Sequence, residues 1–529
     1  MTSPLHTIRR QTLKFQYNGK ADGFALQKEV SDWCNFNLIP EIEQQLDLLE
    51  LGDNYFTIDK LEIEATANNN DWQQKIRDEL IFSLKQKLND LKPKLKKEDG
   101  ILISGVNFEK KEKVKLVSGD QKLDELILYY FATGHLPWWG KSLISDDFKI
   151  VMQNWIRQDF SNSQAEFIRY KMKQTASENL IKRIQNQVPQ ELFFPLILKI
   201  YSHESEIINQ IKSFLNELLE NILSVSKQKA ITASVNGFLL GMLIENEEII
   251  HIEPIVEFIY QEAKKLKTLP KTSFPAARKT GEAANPINEV WQKMVIQEEL
   301  RPGIEGKLHP SIEVNMNSDS KLIPEETKMD EVAGTFKKFQ YNKLIDRLTD
   351  SEFSEKMEEN LAAELKEGIY VDNAGAVIFA AFLPALFKQL EIEKNGLLQN
   401  PDLAAMLIQY CVTGNAKISE YDLVLPKILS GIEIDFPVNT NIKITANQKR
   451  EVDEMLISLI EYWSVLKNTS IDGLRDSFLK RNGKLTRVNK EWLLQVEQKS
   501  YDMLLLQLPW SISMIKLPWM KNLLKTEWA

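Results

Sequence analysis

Six of the chain's 19 prolines crowd between Pro270 and Pro324, in the runs TLPKTSFPAARKTGEAANPINEV and ELRPGIEGKLHPSIEVNMNSDSKLIPEE. Proline has no amide hydrogen and its ring clashes with the preceding helical turn, so regular structure does not run through such a stretch. With Gly, Ser and Asn around it, 269–328 reads as a flexible linker, with a short helix expected from Trp291 to Leu300. The rest must fold as separate bodies, and 529 residues suffice for roughly three or four, each with its own core.

Ahead of the linker, Leu13, Phe15 and Tyr17 alternate with Lys14 and Gln16 as in a half-buried strand, which Asn18-Gly19 ends. Phe24 to Leu51 carries Leu26, Val30, Trp33, Leu38, Ile42 and Leu46 at mostly helical spacing, and Pro40 is expected to kink this helix or begin a second. A second strand is expected over Tyr55 to Ala65, with a bulge near Asp59-Lys60, then a helix over Trp72 to Leu91 capped by Asn68 to Asp71. This β-α-β-α order makes 1–92 a small α/β domain.

A polar connection over Ile101 to Ser118, with a short strand or two, leads to a helix from Lys122 to Ala132. That helix stops at Thr133-Gly134 and runs into Leu136-Pro137-Trp138-Trp139-Gly140, a capping glycine followed by a proline stop. The paired tryptophans belong either to a core or to a surface that docks a partner. From Asp146 to Lys267, amphipathic runs such as Phe148, Met152, Trp155 and Ile207, Ile211, Phe214, Leu218 follow one another with short breaks. Residues 120–268 therefore read as a helical bundle or stack.

Residues 329–529 read as a helical C-terminal domain. Its Tyr370 to Leu390 segment, with VIFAAFLPALF apolar almost all round, is expected to be a central buried helix bent at Pro384. A helix over Ala404 to Val412 ends at Thr413-Gly414, and the echo of Tyr130 to Gly134 reads as two helix ends built alike, with an ancient duplication as the alternative. Ser470-Ile471-Asp472-Gly473 is a helix start leading to Leu474, Phe478 and Leu479. Asn482-Gly483 and Val488-Asn489-Lys490 bracket a small β-hairpin whose Trp492, Leu494 and Val496 share one face. Pro509-Trp510 and Pro518-Trp519 each end regular structure and present an indole at a defined place, and such aromatics are expected to pack as core. The fold class is mainly α and multidomain: a small N-terminal α/β domain, a helical middle, a proline-rich linker, and a helical C-terminal domain with a small hairpin.

The run Lys467-Asn468-Thr469-Ser470-x-Asp472-Gly473-Leu474-Arg475, the later Glu497-x-Lys499-x-Tyr501-Asp502, and Leu508-Pro509-Trp510 with Ile515-Lys516-Leu517-Pro518-Trp519-Met520 resemble the contractile injection system tape measure proteins. Upstream, Phe24-Ala25-Leu26-Gln27, Leu38-Ile39-Pro40 and Tyr130-Phe131-Ala132-Thr133-Gly134-His135-Leu136-Pro137-Trp138-Trp139 carry the same resemblance, which returns in Tyr370-Val371-Asp372-Asn373-Ala374-Gly375. It covers both ends and fades in the middle. It implies a non-catalytic assembly protein of a phage-tail-like particle that lies in the tube lumen, works with baseplate and inner-tube subunits, and sets where tube and sheath growth stops. The bacterial cytoplasm is the expected place of synthesis and assembly, since the start has no secretory signal and no apolar run spans a bilayer. The alternative is a compact assembly factor or chaperone of the same particle, docking through Trp138, Trp139, Trp510 and Trp519. The candidate interaction or structural residues are Leu136, Pro137, Trp138, Trp139, Lys467, Asn468, Thr469, Asp472, Gly473, Arg475, Pro509, Trp510, Lys516, Pro518 and Trp519.

Catalytic signatures are missing: no GxxxxGK[ST] loop, GxGxxG turn, HExxH, CxxC or GxSxG elbow occurs. The five histidines stand singly, so neither a metal site nor a cofactor is expected. A net charge of −9 argues against general nucleic-acid binding, which needs clustered Lys and Arg in excess. Cys34 and Cys411 sit in apolar surroundings and read as buried free thiols. The start, MTSPLHTIRRQTLKF, has no apolar signal core, and no apolar run reaches the roughly 18–20 residues that span a bilayer.

Overall fold

Side-chain caps open helices where short polar residues precede an amphipathic run. Asp147, Ser161 and Ser177 accept the amides of Lys149, Gln164 and Leu180 at 3.0, 3.2 and 3.1 Å, meeting donors that a helix start leaves unpaired. Thr445 and Gln448 form a reciprocal capping box. The outcome is a mainly helical protein with small sheets. The structure, a computed structural model, describes residues 8, 12, 14, 23–48, 54–58, 63–66, 71–95, 106–108, 112–144, 147–220, 222, 224–245, 251–267, 286–299, 361–489 and 491–528. The bulge expected at 59–60, the cap expected at 68–70, nearly all of the strand expected at 13–17, and 269–328 apart from 286–299 lie outside these residues.

The chain divides into two units, the first being Met1–Ile127 with Leu136–Ser145. Here α1 (Gly23–Trp33) passes through one π turn, Cys34–Leu38, into α2 (Ile39–Asp47). Pro40 sits in the first turn of α2, where its missing amide hydrogen is not needed, so of the two expectations it begins a second helix. Then come β1 (Asn54–Ile58), α3 (Trp72–Leu95), β2 (Val106–Phe108), β3 (Glu112–Ser118) and the start of α4 (Gly119–Thr133). The sheet is antiparallel in the order β1-β3-β2, with Asn54 opposite Ser118 and Val106 opposite Val114. Residues 63–66 lie outside regular structure, so the second expected strand is shorter than its alternation suggests. Trp33, Cys34 and Leu38 form a small core under Ile42, Trp72 and Ile76, with the two indoles edge to face at 5.2 Å.

The second unit is Leu128–His135 with Asp146–Ala529. Its first part is a helical stack of α5 (Phe148–Arg157), α6 (Asn162–Gln174), α7 (Glu178–Gln187), α8 (Gln190–Ile200), α9 (Ser205–Glu220), α10 (Val225–Glu245), α11 (Ile252–Lys265) and α12 (Pro286–Glu299). α8 packs on α5, α6 and α9, while α10 packs on α7 and α11. α12 lies inside the stretch read as linker, yet its Ile287 and Trp291 are buried, the indole 5.3 Å from Phe214 and 5.2 Å from Tyr260.

The later part is built on a five-stranded sheet in the order β4-β7-β8-β10-β9, from β4 (Ile369–Val371), β7 (Gly483–Val488), β8 (Glu491–Val496), β9 (Met514–Ile515) and β10 (Leu524–Glu527). The hairpin β7–β8 stands as expected, and β10 joins it parallel to β8, Leu524 opposite Trp492. A separate two-stranded ribbon pairs β5 (Glu393–Lys394) with β6 (Leu397–Leu398). The single helix expected from Tyr370 to Leu390 is instead β4, a 3-10 segment Ala374–Phe382, and α13 (Leu383–Gln389). The ladder to β7 takes up the backbone of 369–371, the Ala374 amide donates to Arg481 O at 2.9 Å, and Pro384 restarts the helix in the first turn of α13. The expected burial holds: Ala374 to Ala380 are all buried. α14 (Pro401–Thr413), α15 (Val424–Leu429) and α16 (Ala446–Tyr462) pack on that segment, as does the π turn Arg475–Leu479 that follows α17 (Ile471–Leu474). The resulting hydrophobic cluster draws every member from residues 361–528. No helix of the described residues is long and apolar enough to cross a membrane.

Candidate functional site

The motif residues of the C-terminal core fix its backbone. Ser470 Oγ accepts the Gly473 amide at 3.0 Å to start α17, and Thr469 Oγ1 donates to Leu466 O at 2.7 Å. Lys467, at φ +37°, turns the chain between these bonds and the preceding helical turn, while Asn468 and Asp472 are exposed. Arg475 is buried; its Nε donates to Cys411 O at 3.1 Å, and its Nη atoms meet Asp472 and Asp453 at 3.2 and 3.4 Å. Trp510 Nε1 donates to Ile378 O at 2.8 Å, with its ring edge-on to Phe382 at 4.9 Å. Trp519 Nε1 donates to Leu429 O at 2.8 Å and its ring lies 5.5 Å from Phe387. Pro509, Lys516 and Pro518 face solvent while the indoles point inward, because each proline ends the chain's regular run just where the following indole can reach a backbone carbonyl of the core.

In the first unit, Leu136 and Pro137 are buried and Trp138 and Trp139 half-buried. The Lys122 ammonium, held by Glu125 at 3.1 Å, stands 3.7 Å over the Trp139 ring. Trp139 O accepts from Ser142 Oγ at 2.6 Å.

The two Thr-Gly helix ends are the same device built twice in the second unit. Gly134 and Gly414 sit at φ +79° and +70°, and each amide donates to a carbonyl four residues back, Tyr130 O and Tyr410 O, at 2.8 Å. Thr133 and Thr413 hydroxyls donate to Tyr129 O and Gln409 O at 2.9 and 3.0 Å. A buried arginine then grips each helix end: Arg183 Nη1 donates to Phe131 O and Ala132 O at 2.7 and 3.1 Å, as Arg475 does to Cys411 O. A serine caps the start of the helix behind each arginine: Ser177 starts α7, which holds Arg183, and Ser470 starts α17, which Arg475 directly follows. A Cβ on Gly134 would lie 2.7 Å from Arg183 Nη2, and one on Gly414 2.9 Å from Arg475 Nη1, so glycine is required for both backbone and approach.

Sequence reasoning did not find the charged clusters behind these ends. Arg183 and Glu420 have no exposed side-chain surface; Arg183 Nε donates to Glu420 Oε1 at 3.1 Å, Lys427 Nζ donates to the same oxygen at 2.8 Å, and Gln187 Nε2 reaches Oε2 at 3.3 Å. Arg183 also donates to Asp435 O, and Lys427 to Ile434 O at 3.0 Å. Burial pushes the Lys427 ammonium below its ordinary pKa, and the charge of Glu420 works against that shift. A second cluster sets Arg481 bidentate on Asp502, 3.0 Å from each oxygen, with Trp528 Nε1 donating to Asp502 Oδ2 at 2.9 Å. Asp502 stood in a motif that carried the family resemblance. Nothing in the sequence links Arg183 to a glutamate 237 positions away.

His135 is buried, its Nε2 within 3.1 Å of Tyr129 Oη and 3.3 Å of Glu364 Oε2. Among the described residues no group of three or more His, Cys, Asp or Glu side chains could hold a metal ion. A shallow polar concavity of about 470 Å³ lies at the end of β8 and β10, lined in part by Gln495, Gln498, Thr526 and Glu527.

Buried charge in this protein is directed at helix ends, turns and strand ends, which is the pattern of a structural protein whose interior chemistry holds parts in register. Comparison with protein families gives the particular kind. The chain belongs to the contractile injection system tape measure proteins, whose family model matches residues 5–528. No curated protein and no solved structure matches it.

Proposed function

We propose that this protein sets tube and sheath length as a non-catalytic tape measure in the tube lumen, working with baseplate and inner-tube subunits after synthesis in the bacterial cytoplasm. The observation that carries the reading is the family match over nearly the whole chain, 5–528. The physical requirement is reach. Pro270 to Pro324 spans roughly 180 Å at most when fully extended at ~3.3 Å per residue, so a longer ruler needs folded parts to separate. A second reading, a compact assembly factor, draws support from the bonds that tie α7 to residues 420–441 across that stretch.

The test is particle length by electron microscopy after graded flexible insertions near Gly306. Under the tape-measure reading, tube length rises steadily with insert size, by up to ~3.3 Å per added residue. Unchanged length with normal assembly overturns it in favour of the compact assembly factor.

A further inference from the structure

Within the second unit, the hydrophobic cluster of 361–528 is closed on itself. What ties it to residues 128–135 and the helices of 147–299 has a different chemistry, concentrated on one face of α7. Asn179, Arg183 and Gln187 recur every four residues, with Asn186 beside them, so they share a face. Asn179 Nδ2 donates to Asp435 Oδ2 at 3.0 Å, Arg183 and Gln187 bind Glu420, and Asn186 O accepts from Asn441 Nδ2 at 3.0 Å. Around this face, Lys417 pairs with Asp147, and His135 Nε2 lies 3.3 Å from Glu364 Oε2. Phe148 meets Tyr421 edge-on at 5.6 Å.

We infer that this seam is a latch, along which the second unit opens into two folded lobes, one of 128–135 with the helices of 147–299 and the other of 361–528. Parting an apolar core exposes surface that water does not welcome. Parting this seam instead returns Arg183, Glu420 and Lys427 to water, and the hydration regained offsets much of the attraction lost. Polar interfaces inside a chain behave like transient complexes, with relative motion as the default.

The consequence for length rests on the tape-measure reading. While the latch is closed, residues 299 and 361 are held at one separation; once it opens, that separation can grow by no more than the length of chain between them, up to ~200 Å for about sixty residues at ~3.3 Å each.

The experiment uses the full-length protein with spin labels on Tyr170→Cys and Ile457→Cys, exposed positions on α6 and α16. Electron–electron distance distributions are compared with and without Glu420→Gln, and hydrogen exchange reports whether 403–412 and 491–496 stay protected. The latch requires a second, longer distance population that Glu420→Gln raises roughly tenfold or more while those segments stay protected. If Glu420→Gln fails to fold, Asn179→Ala with Asn441→Ala, which removes two seam bonds and strands no charge, is read the same way. One unchanged distance in parent and variant overturns the latch, as does lengthening that always coincides with lost protection in 403–412 and 491–496. Its failure is separable from that of the tape measure: a latch that opens with no effect of insertions on tube length refutes only the ruler, and insertions that lengthen the tube without an open population refute only the latch.

Discussion

Glu420→Gln is the most informative single substitution, because Glu420 is the shared anion of two buried cations, Arg183 and Lys427. The amide keeps the shape and can still accept one hydrogen bond, but the negative charge is gone. Breaking a buried pair costs ~3–5 kcal/mol, since the partner charge is left uncompensated. Lys427 sets a ceiling on its own share of this cost, because it can shed its proton. Shifting an ammonium from its ordinary pKa of 10.5 to neutrality costs ~1.4 kcal/mol per pH unit, so that share saturates near 5 kcal/mol at pH 7. Arg183 cannot deprotonate, but it keeps the Phe131, Ala132 and Asp435 carbonyls. The expected loss is therefore ~3–5 kcal/mol at pH 7.

The sign with pH follows from linkage. With the Lys427 pKa lowered in the folded state, the unfolded chain binds more protons between that value and 10.5, so stability rises with pH across the window. Removing Glu420 takes away what opposed the shift and widens the window. The deficit of the variant relative to the parent should shrink as pH rises from the variant's folded Lys427 pKa to the parent's, by up to ~1.4 kcal/mol per unit, and stay constant above that. Urea unfolding of both proteins at several pH values, followed by tryptophan fluorescence and by far-ultraviolet circular dichroism, measures this. A loss below ~1 kcal/mol at neutral pH, or a deficit that grows with pH, would refute the reasoning.

Other expectations follow from single contacts. Trp519→Phe removes the indole N–H from Leu429 O and leaves a buried carbonyl unpaired, for a loss of ~1–3 kcal/mol in the same urea assay; a neutral result would mean that water or a neighbour meets that carbonyl. Gly414→Ala forces a Cβ to within 2.9 Å of Arg475 Nη1 at φ +70°, and should lower the melting temperature clearly, whereas Gly473→Ala, at ordinary φ with 3.1 Å to Thr469 Cγ2, should cost less. Burial raises the thiol pKa of Cys34 and Cys411, so an aromatic disulfide reagent at neutral pH should titrate neither in the native protein and both in urea. Lys417→Ala should lower the resistance of the fold to acid: the pairing depresses the Asp147 pKa, so its contribution is present above 3.8 and lost as pH falls through the depressed value.

Much of the fold was legible because its causes are local. A serine before an amphipathic run starts a helix at 470, a Thr-Gly pair ends one at 133 and at 413, and alternation between turn residues makes β7 and β8. Each signal acts within about five residues, through one side chain and one or two backbone groups. The same locality explains the misreading of 370–390. Its apolar composition fixed burial, but composition does not distinguish a helix from a strand and a 3-10 turn that are buried equally well.

By itself, then, the sequence determined the family, the helical class, the helix ends and the inward commitment of the motif tryptophans, because these depend on short-range geometry and on apolar character. Only the tertiary structure decided that Arg183 closes on Glu420 and Lys427, that Arg481 closes on Asp502, and that β10 lies parallel to β8. A buried charge is tolerated only where a counter-charge and carbonyls converge on it, and that convergence is a property of how distant segments pack, which no local pattern encodes.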